Sequence, residues 1–243
     1  MALRVYRNYD ALSHAAAAEI VLQIKQNPIS VLCLAAGETP RLTYNLLPEI
    51  ADKDGVDFSR CLFVGLDEWL GIPDTNEGSC AWFLRENLFA PLNIAPRQIN
   101  LFDGMTKDPA EECRRMSRRI VDCGGIDLML VGIGLNGHIG FNEPGVSEDA
   151  HVHVTELDET TRSVGQKYFR EATVLQRGIT LGLRHLLESR KAFMMAAGAK
   201  KAGIIRLALE GSITTKVPAS ILRKHACGDV LLDSEAASML TVI

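Results

Sequence analysis

Four short and continuously apolar segments recur along this chain of 243 residues, and they constrain its fold more than any other feature. They cover residues 30–36, 61–66, 126–131 and 191–197. Such runs are typical of strands buried on both faces, because a half-exposed strand alternates apolar and polar residues. Helical patterns accompany them at residues 39–50, 109–121 and 200–209. The alternation predicts a doubly wound α/β fold, in which a mainly parallel sheet carries helices on both faces.

The length and composition favour a single domain over residues 1–243. An α/β chain of about 200–250 residues often folds as one domain, and the sequence contains no internal repeat and no Pro/Gly/Ser-rich linker. Hydrophobic residues make up 47% and charged residues 23%, so a disordered chain is excluded. The apolar runs are far shorter than the roughly 18 residues that span a bilayer.

The net charge and the cysteines indicate which binding partners and which cellular compartment to expect. The formal net charge of −4 lacks the basic excess of a nucleic-acid binder, so we expect neither a nucleic-acid nor a membrane partner. The start, MALRVYRNYD, lacks the apolar core of a signal peptide. The six cysteines form no C-x-x-C pair, so we expect reduced thiols and a cytoplasmic location. His151 and His153 have no evident third ligand, so we expect no metal.

The turn after the first apolar run is typical of an anion site. Ligands bind beyond the carboxyl ends of parallel strands, and Gly37 permits a tight turn there. Thr39 is expected to cap the following helix and Pro40 to occupy its first position. The free N–H groups of such a helix start attract phosphate, and Lys201, after the fourth run, can reach the same anion. Glu38 would repel a phosphate, so its carboxylate must point away or the site serves another ligand.

Two acidic residues follow the second apolar run, where a helix or loop is expected to begin. Asp67 at such a strand end could act as a base beside a bound substrate, or it could simply cap the next helix. The residues alone leave both interpretations open.

The glycine-rich segment 132–145 follows the third run and carries the most chemistry. Its first residues match G-x-G-x-x-G, but Gly140, Pro144 and Gly145 prevent a helix from following, so a dinucleotide site is excluded. The segment also carries Asn136, His138, Asn142 and Glu143. A histidine titrates near neutral pH and a neighbouring carboxylate orients it, so we predict that His138 is catalytic.

Together these segments resemble the glucosamine-6-phosphate deaminase family, which includes galactosamine-6-phosphate isomerases. The resemblance covers nearly the whole chain and is carried by LAAGETP, GLDEWLGIP, DLMLVGIGLNGHIGFNEPG, LDETTRSVGQKYF and GAKKAGIIRLALEG. The related 6-phosphogluconolactonases have a similar glycine loop with a GH step, but not the NEPG ending.

The resemblance implies an isomerising deamination of an amino-hexose 6-phosphate to a ketohexose 6-phosphate and ammonia, without a cofactor. Asp67 resembles the base of the enolisation step. His138 resembles the acid/base of ring opening, with Asn136 and Glu143 beside it. The residues that match phosphate-binding positions are Gly37, Thr39, Lys167 and Lys201. The partner implied is a small sugar phosphate, and the enzyme could be a monomer or a homo-oligomer.

Three departures from the family pattern affect these expectations. Asn136 stands where many members have Asp, and a neutral amide can orient His138 or substrate but cannot be a base. Lys167 stands where an Arg is frequent, which keeps the charge but loses bidentate contact. Residues 149–152 replace an S-R-T stretch, and the longer C-terminal tail is absent, which weakens the expectation of allosteric activation by N-acetylglucosamine 6-phosphate. The segments RGITLGLRHLL, VPASIL and AHVHVTEL favour the galactosamine-type members.

Two other functions share some of these features. A lactone hydrolase acting on a phosphorylated sugar acid would use the phosphate site and His138, but leaves Asp67 and the NEPG ending unexplained. A sugar-phosphate sensor of this fold should carry a helix-turn-helix segment, for which the chain offers no spare N-terminal stretch, and would not need its acid/base residues.

Overall fold

The computed structural model describes residues 1–241, and a parallel sheet is their largest feature. The strands of the described residues are β1 (Leu3–Tyr6), β2 (Val31–Leu34), β3 (Leu62–Val64), β4 (Asp67–Trp69), β5 (Ile99–Asn100), β6 (Leu128–Val131), β7 (His153–Glu156), β8 (Arg177–Thr180), β9 (Lys191–Ala196) and β10 (Gly228–Asp233). The α-helices are α1 (Tyr9–Gln26), α2 (Glu38–Asp54), α3 (Cys80–Leu84), α4 (Pro109–Asp122), α5 (Glu159–Gly165), α6 (Leu183–Glu188) and α7 (Ala202–Glu210).

The main sheet has seven parallel strands in the order β1-β10-β9-β6-β2-β3-β5. The chain winds outward from β2 in both directions, through β3 and β5 on one side and through β6, β9 and β10 on the other. All residues of β2 and β6 are buried, so both faces of the sheet are covered. The four apolar runs become β2, β3, β6 and β9, which are neighbours in the sheet. The predicted fold class is therefore confirmed.

The start of α2 differs from the prediction. Gly37 is the N-cap residue, at φ 125°, and no side chain caps the helix, so the prediction that Thr39 caps it is wrong. Thr39 is the second helical residue, and Pro40 is the third rather than the first. Proline is still tolerated there, because the first N–H groups of a helix have no partner within it. The turn thus keeps its amide groups available to a ligand.

A second, antiparallel sheet of the order β4-β8-β7 was not predicted. Asp67 and Glu68 begin β4 instead of a helix or loop, with Asp67 opposite Thr180 of β8. The segment AHVHVTEL contains β7, which belongs to this sheet and not to the main one. The Trp69 ring packs 4.5 Å from the Phe141 ring, so aromatic burial holds the small sheet against the glycine-rich loop.

Among residues 1–241, the helices are all too short or too polar to cross a membrane.

Asn142 ties the glycine-rich loop to the chain after β8. Its side-chain N–H group donates to the carbonyl oxygens of Ile139 and Leu181, each at 2.8 Å, and the residue is 1% exposed. We predict that Asn142→Ala lowers the free energy of unfolding by about 1–3 kcal/mol, because two hydrogen bonds to buried carbonyl groups are lost. Urea unfolding measures this.

The matched control is Asn45→Ala on the exposed side of α2. It makes the same chemical change where no buried group is left unpaired, so stability should stay within about 0.5 kcal/mol or rise. Equal losses in both variants would contradict this role of Asn142.

Candidate functional site

A cavity of about 410 Å³ opens at the carboxyl ends of β2, β3, β6 and β9. In a doubly wound sheet a crevice forms where the strand order reverses, here between β2 and β6, and ligands bind in it. Each of the four strand ends contributes to the lining: Gly37 after β2, Asp67 after β3, His138 after β6 and Lys201 after β9. The sheet order therefore brings together four segments that are far apart in the sequence.

His138 is held on one side of its ring. Its Nδ1 lies 3.0 Å from Thr161 Oγ1 and 3.5 Å from Glu143 Oε2. Asn136 Oδ1 accepts the backbone N–H of His138 at 3.2 Å. Because Nδ1 faces these partners, the other ring nitrogen, Nε2, is left for proton transfer with a ligand.

Glu143 is a buried carboxylate whose negative charge is well supported. Asn136 Nδ2 donates to its Oε2 at 2.8 Å, and the Asp158 N–H donates to its Oε1 at 3.3 Å. Burial alone would raise the pKa of Glu143, but the bonds and charge of His138, together with Thr161 and Asn136, outweigh it and lower the pKa. Glu143 is thus an ionised partner that orients His138 rather than a proton donor.

Two glycines make the close packing of this loop possible. A Cβ at Gly134 would lie 2.3 Å from the His138 ring, so only glycine lets the ring lie against this backbone. Gly140 has φ +55°, and a Cβ there would lie 2.8 Å from Thr180 Oγ1 and 3.4 Å from Asp67 Oδ2. The segment that follows β6 therefore touches Asp67, at the end of a different strand.

Asp67 lies in a poorly solvated part of the cavity. Burial, and then the charge of Glu68, raise the pKa of Asp67 to about 7, although a hydrogen bond with the Cys80 thiol opposes the rise. A carboxyl group with a pKa near neutrality can accept a proton from a weak carbon acid more readily than an ordinary aspartate. Asp67 has the properties of a general base.

Glu68, which is 2% exposed, helps to fix the surroundings of Asp67. Its carboxylate accepts the Ser79 hydroxyl at 2.9 Å and the N–H groups of Cys80 and Ala81 at 3.0 and 2.8 Å. These are the free groups at the start of α3, so Glu68 joins β4 to that helix and places Cys80 beside Asp67.

The other end of the cavity is cationic and lined by Gly37, Thr39, Lys167 and Lys201. Burial, and then the charge of Lys167, lower the pKa of Lys201 to about 8. The Lys201 ammonium donates to the carbonyl oxygen of Ile133. Two ammonium groups close enough to affect each other favour a ligand that carries negative charge.

Glu38 does not disturb this end, because Arg41 binds its carboxylate. Arg41 Nε lies 3.1 Å from Glu38 Oε2 and Arg41 Nη2 lies 2.8 Å from Oε1. Arg41 is fixed in turn by Asn87 Oδ1 at 2.9 Å and by the Phe83 ring, whose centroid lies 4.7 Å from the guanidinium carbon. The Arg41 guanidinium thus offsets the negative charge of Glu38 beside the turn.

The structure brings the sequence-predicted residues into one site. Six of the predicted residues line the cavity: Gly37, Thr39, Asp67, His138, Lys167 and Lys201. Asn136 and Glu143 lie next to His138, through the contacts given above. No three His, Cys, Asp or Glu side chains within residues 1–241 are placed to hold a metal ion.

Sequence reasoning missed Thr161, Cys80 and Tyr168, which also line the cavity. Thr161 and Tyr168 lie within the segment LDETTRSVGQKYF, so proximity to Lys167 was an available signal. Cys80 gave no signal, because its contact with Asp67 depends on the way Glu68 anchors α3.

Known proteins resemble this chain over nearly its full length. The sequence profile of the family described as glucosamine-6-phosphate isomerases/6-phosphogluconolactonase matches residues 7–232. The glucosamine-6-phosphate deaminase of Thermoanaerobacter pseudethanolicus is 38% identical over 234 residues, which cover 96% of this chain and 92% of that protein. The glucosamine-6-phosphate deaminase of Clostridium perfringens is 37% identical over 241 residues, which cover 99% and 100%.

Solved structures give the same result. A monomeric glucosamine-6-phosphate deaminase superimposes with a TM-score of 0.96 at 35% identity and covers 99% of this chain and 100% of that one. The 6-phosphogluconolactonase from Trypanosoma brucei has a TM-score of 0.78 at 22% identity, with 99% and 98% covered. The second likeness is one of fold.

The raised pKa of Asp67 predicts a cost in stability. Between the unfolded pKa of about 3.9 and the folded value near 7, the folded protein holds a proton that the unfolded chain has lost, so stability falls as the pH rises. Asp67→Asn removes this charge. We predict that the variant is more stable than the wild type by about 1–3 kcal/mol at about pH 8, and that the difference vanishes near pH 4.

Urea unfolding at the two pH values measures this difference. The control is Asp122→Asn at the exposed end of α4, whose effect should be small at both. An Asp67→Asn protein that is less stable than the wild type at the higher pH would contradict the desolvation of Asp67.

Proposed function

The chain belongs to the family of glucosamine-6-phosphate isomerases and 6-phosphogluconolactonases, and from this premise we propose that its cavity carries out an isomerising deamination. The substrate is an amino-hexose 6-phosphate, and the products are a ketohexose 6-phosphate and ammonia. The observation that carries the proposal is that a carboxyl group suited to proton abstraction, Asp67, and an oriented histidine, His138, share one cavity with a cationic end.

The phosphate group binds at the cationic end. The amide groups of residues 37–39 lie at the start of α2, where the helix dipole favours an anion. Lys167 and Lys201 add two positive charges. With the phosphate held there, the sugar carbons extend toward Asp67 and His138.

Ring opening is the task of His138. The C1 hydroxyl must lose a proton while the ring oxygen gains one, and an imidazole nitrogen can both accept and donate a proton. Glu143 and Thr161 hold the Nδ1 side of the ring, so Nε2 carries the proton. Asn136 acts indirectly, by holding Glu143.

Isomerisation is the task of Asp67. Its carboxylate removes the proton from C2 of the open aldose, and an enolamine forms as electrons move toward the C1 oxygen. Asp67 then returns the proton to C1, which leaves an imine at C2. Water adds to this imine, ammonia leaves, and the ketose 6-phosphate remains, so the overall change is the addition of one water and the loss of one ammonia.

A lactone hydrolase is the weaker alternative. Its solved examples share the fold at 17–22% identity, whereas the relatives at 37–38% identity are glucosamine-6-phosphate deaminases. Lactone hydrolysis requires no proton abstraction from carbon, so it gives Asp67 no task.

We propose glucosamine 6-phosphate as the substrate, following the names of these relatives, and galactosamine 6-phosphate as the comparison substrate. The two differ at C4 and would yield fructose 6-phosphate and tagatose 6-phosphate, respectively. Release of ammonia together with either ketose 6-phosphate tests the proposal, and an enzyme that hydrolyses a phosphogluconolactone but releases no ammonia would refute it.

We further infer that one chain is sufficient for activity in the cytoplasm. A solved relative at 35% identity is described as monomeric. The six cysteines are free thiols, as in proteins of a reducing compartment.

The two acid/base groups should fail differently when they are replaced. We predict that Asp67→Asn stops exchange of the C2 proton with solvent, whereas His138→Gln mainly slows ring opening, each with a loss of about 10²–10⁴-fold or more. On a substrate analogue locked in the open-chain form, His138→Gln should recover much of the rate and Asp67→Asn none.

Proton exchange is followed by nuclear magnetic resonance in deuterated water. The division of roles is wrong if the open-chain analogue restores both variants equally, or if Asp67→Asn exchanges the C2 proton at the wild-type rate.

The pKa of Lys201 near 8 predicts the alkaline limb of the pH profile. The ammonium group attracts phosphate only while it is protonated, so kcat/KM of the free enzyme should fall above about pH 8, and a Lys201→Arg variant, charged throughout, should lack this limb. The ratio of wild-type to variant kcat/KM cancels the titration of the substrate itself. A ratio that stays constant between about pH 7 and pH 9.5 would exclude Lys201 as the titrating group.

A further inference from the structure

Tyr168 occupies a position at the cationic end of the cavity that no prediction assigned. It follows Lys167 directly and lines the cavity together with the turn of residues 37–39. Gly37 has no side chain, and a Cβ built there would lie 3.6 Å from the Tyr168 hydroxyl oxygen. The hydroxyl therefore lies against the turn where α2 begins.

The backbone of Glu38 lies beside the Tyr168 hydroxyl oxygen. Burial, and then the nearby groups of Cys80, Glu38 and Asp67, raise the pKa of Tyr168 to about 12, and the Glu38 backbone opposes the rise. A polar neighbour that lowers the pKa of a phenol stabilises its oxygen, so the oxygen faces the Glu38 N–H. A hydroxyl has one donor hydrogen as well as its acceptor sites. The Tyr168 proton is thus free to point into the cavity.

The surroundings of this proton favour an anion. The Lys167 ammonium lies 4.8 Å from the centroid of the Tyr168 ring, and Lys201 lines the same end. Glu38 places a carboxylate near the turn, although Arg41 compensates it. A neutral O–H group adds attraction for a phosphate oxygen there without a further cation.

We propose that Tyr168 is a further substrate-binding residue, whose hydroxyl donates a hydrogen bond to the phosphate group. This inference rests on the proposed function only for the identity of the phosphorylated ligand. A phenol keeps its proton throughout the range in which a phosphate ester becomes a dianion, with a second pKa of about 6, so the contact is present at all pH values at which the enzyme would work.

The test is the affinity of Tyr168→Phe for inorganic phosphate and for fructose 6-phosphate, measured by isothermal titration calorimetry. A hydrogen bond to a charged group is lost, so we expect both ligands to bind about tenfold more weakly. In turnover assays the KM should rise by a similar factor while kcat stays the same, because a bond to the phosphate stabilises ground state and transition state equally.

The matched control is Tyr9→Phe. The Tyr9 hydroxyl also touches this turn, lying within hydrogen-bond distance of the carbonyl oxygens of Glu38 and Thr39 at 3.0 and 2.9 Å, and Tyr9 is not part of the cavity lining formed by residues 1–241. Phosphate affinity should change by less than about twofold. Thermal unfolding of both variants checks that they fold.

Each other outcome overturns the inference. Unchanged phosphate affinity in Tyr168→Phe would show that the hydroxyl does not bind phosphate. Tighter binding would mean that the hydroxyl competes with phosphate for the Glu38 N–H. A loss confined to fructose 6-phosphate would move the contact to the sugar, and an equal loss in Tyr9→Phe would point to distortion of the turn. Because phosphate binding needs no turnover, it stays interpretable if no amino-sugar phosphate is deaminated, a result that would refute only the proposed function.

Discussion

The order of the parallel strands is the constraint on which the site depends. β9, β6, β2 and β3 lie side by side and point the same way, so the four segments that follow them meet at one edge. These strands are buried on both faces and contain almost no polar side chains, and chemistry is therefore confined to the residues just beyond them. This strand order brings together the helix start at Gly37, the Asp67 carboxylate, the loop that carries His138, and Lys201.

Poor solvation shifts the pKa values of the groups in the cavity, and it shifts those of acids and bases in opposite directions. It raises the pKa of Asp67 and lowers that of Lys201, which brings two groups that normally titrate far apart to within about one unit of each other. Glu143 is also buried, yet it stays ionised because His138, Thr161 and Asn136 bond to it. The cavity thus distinguishes two carboxylates by their partners: Asp67, with one thiol, can take up a proton, while Glu143 keeps its charge.

The sequence predicts four adjacent strands of the main sheet and most of the site, because both depend on patterns that are local. The apolar runs identify β2, β3, β6 and β9, and Gly37, Asp67, His138 and Lys201 lie in the segments that follow them. The strands β1, β5 and β10 were not predicted. The small antiparallel sheet was missed because β4 is only three residues long and is separated from β3 by only two residues, Gly65 and Leu66. Thr39 was assigned as a cap because its residue type is typical of caps, whereas the positive φ of Gly37 determines where α2 begins. Cys80 could not be placed, since its position depends on the tertiary contact between α3 and Glu68.

Asn136 shows how a departure from the family pattern can preserve a site. Its side chain bonds in two directions: the amide N–H group donates to Glu143 at 2.8 Å, and the amide oxygen accepts the His138 N–H at 3.2 Å. An ionised Asp could accept the same N–H but would face Glu143 as a second negative charge, and two carboxylates that share a site cannot both stay ionised without cost. The amide removes this repulsion, so Glu143 needs no further cation to remain charged. In this chain the support of His138 therefore depends on one carboxylate and its donors, while Asp67, the carboxyl group with the raised pKa, lies apart from them beside Gly140.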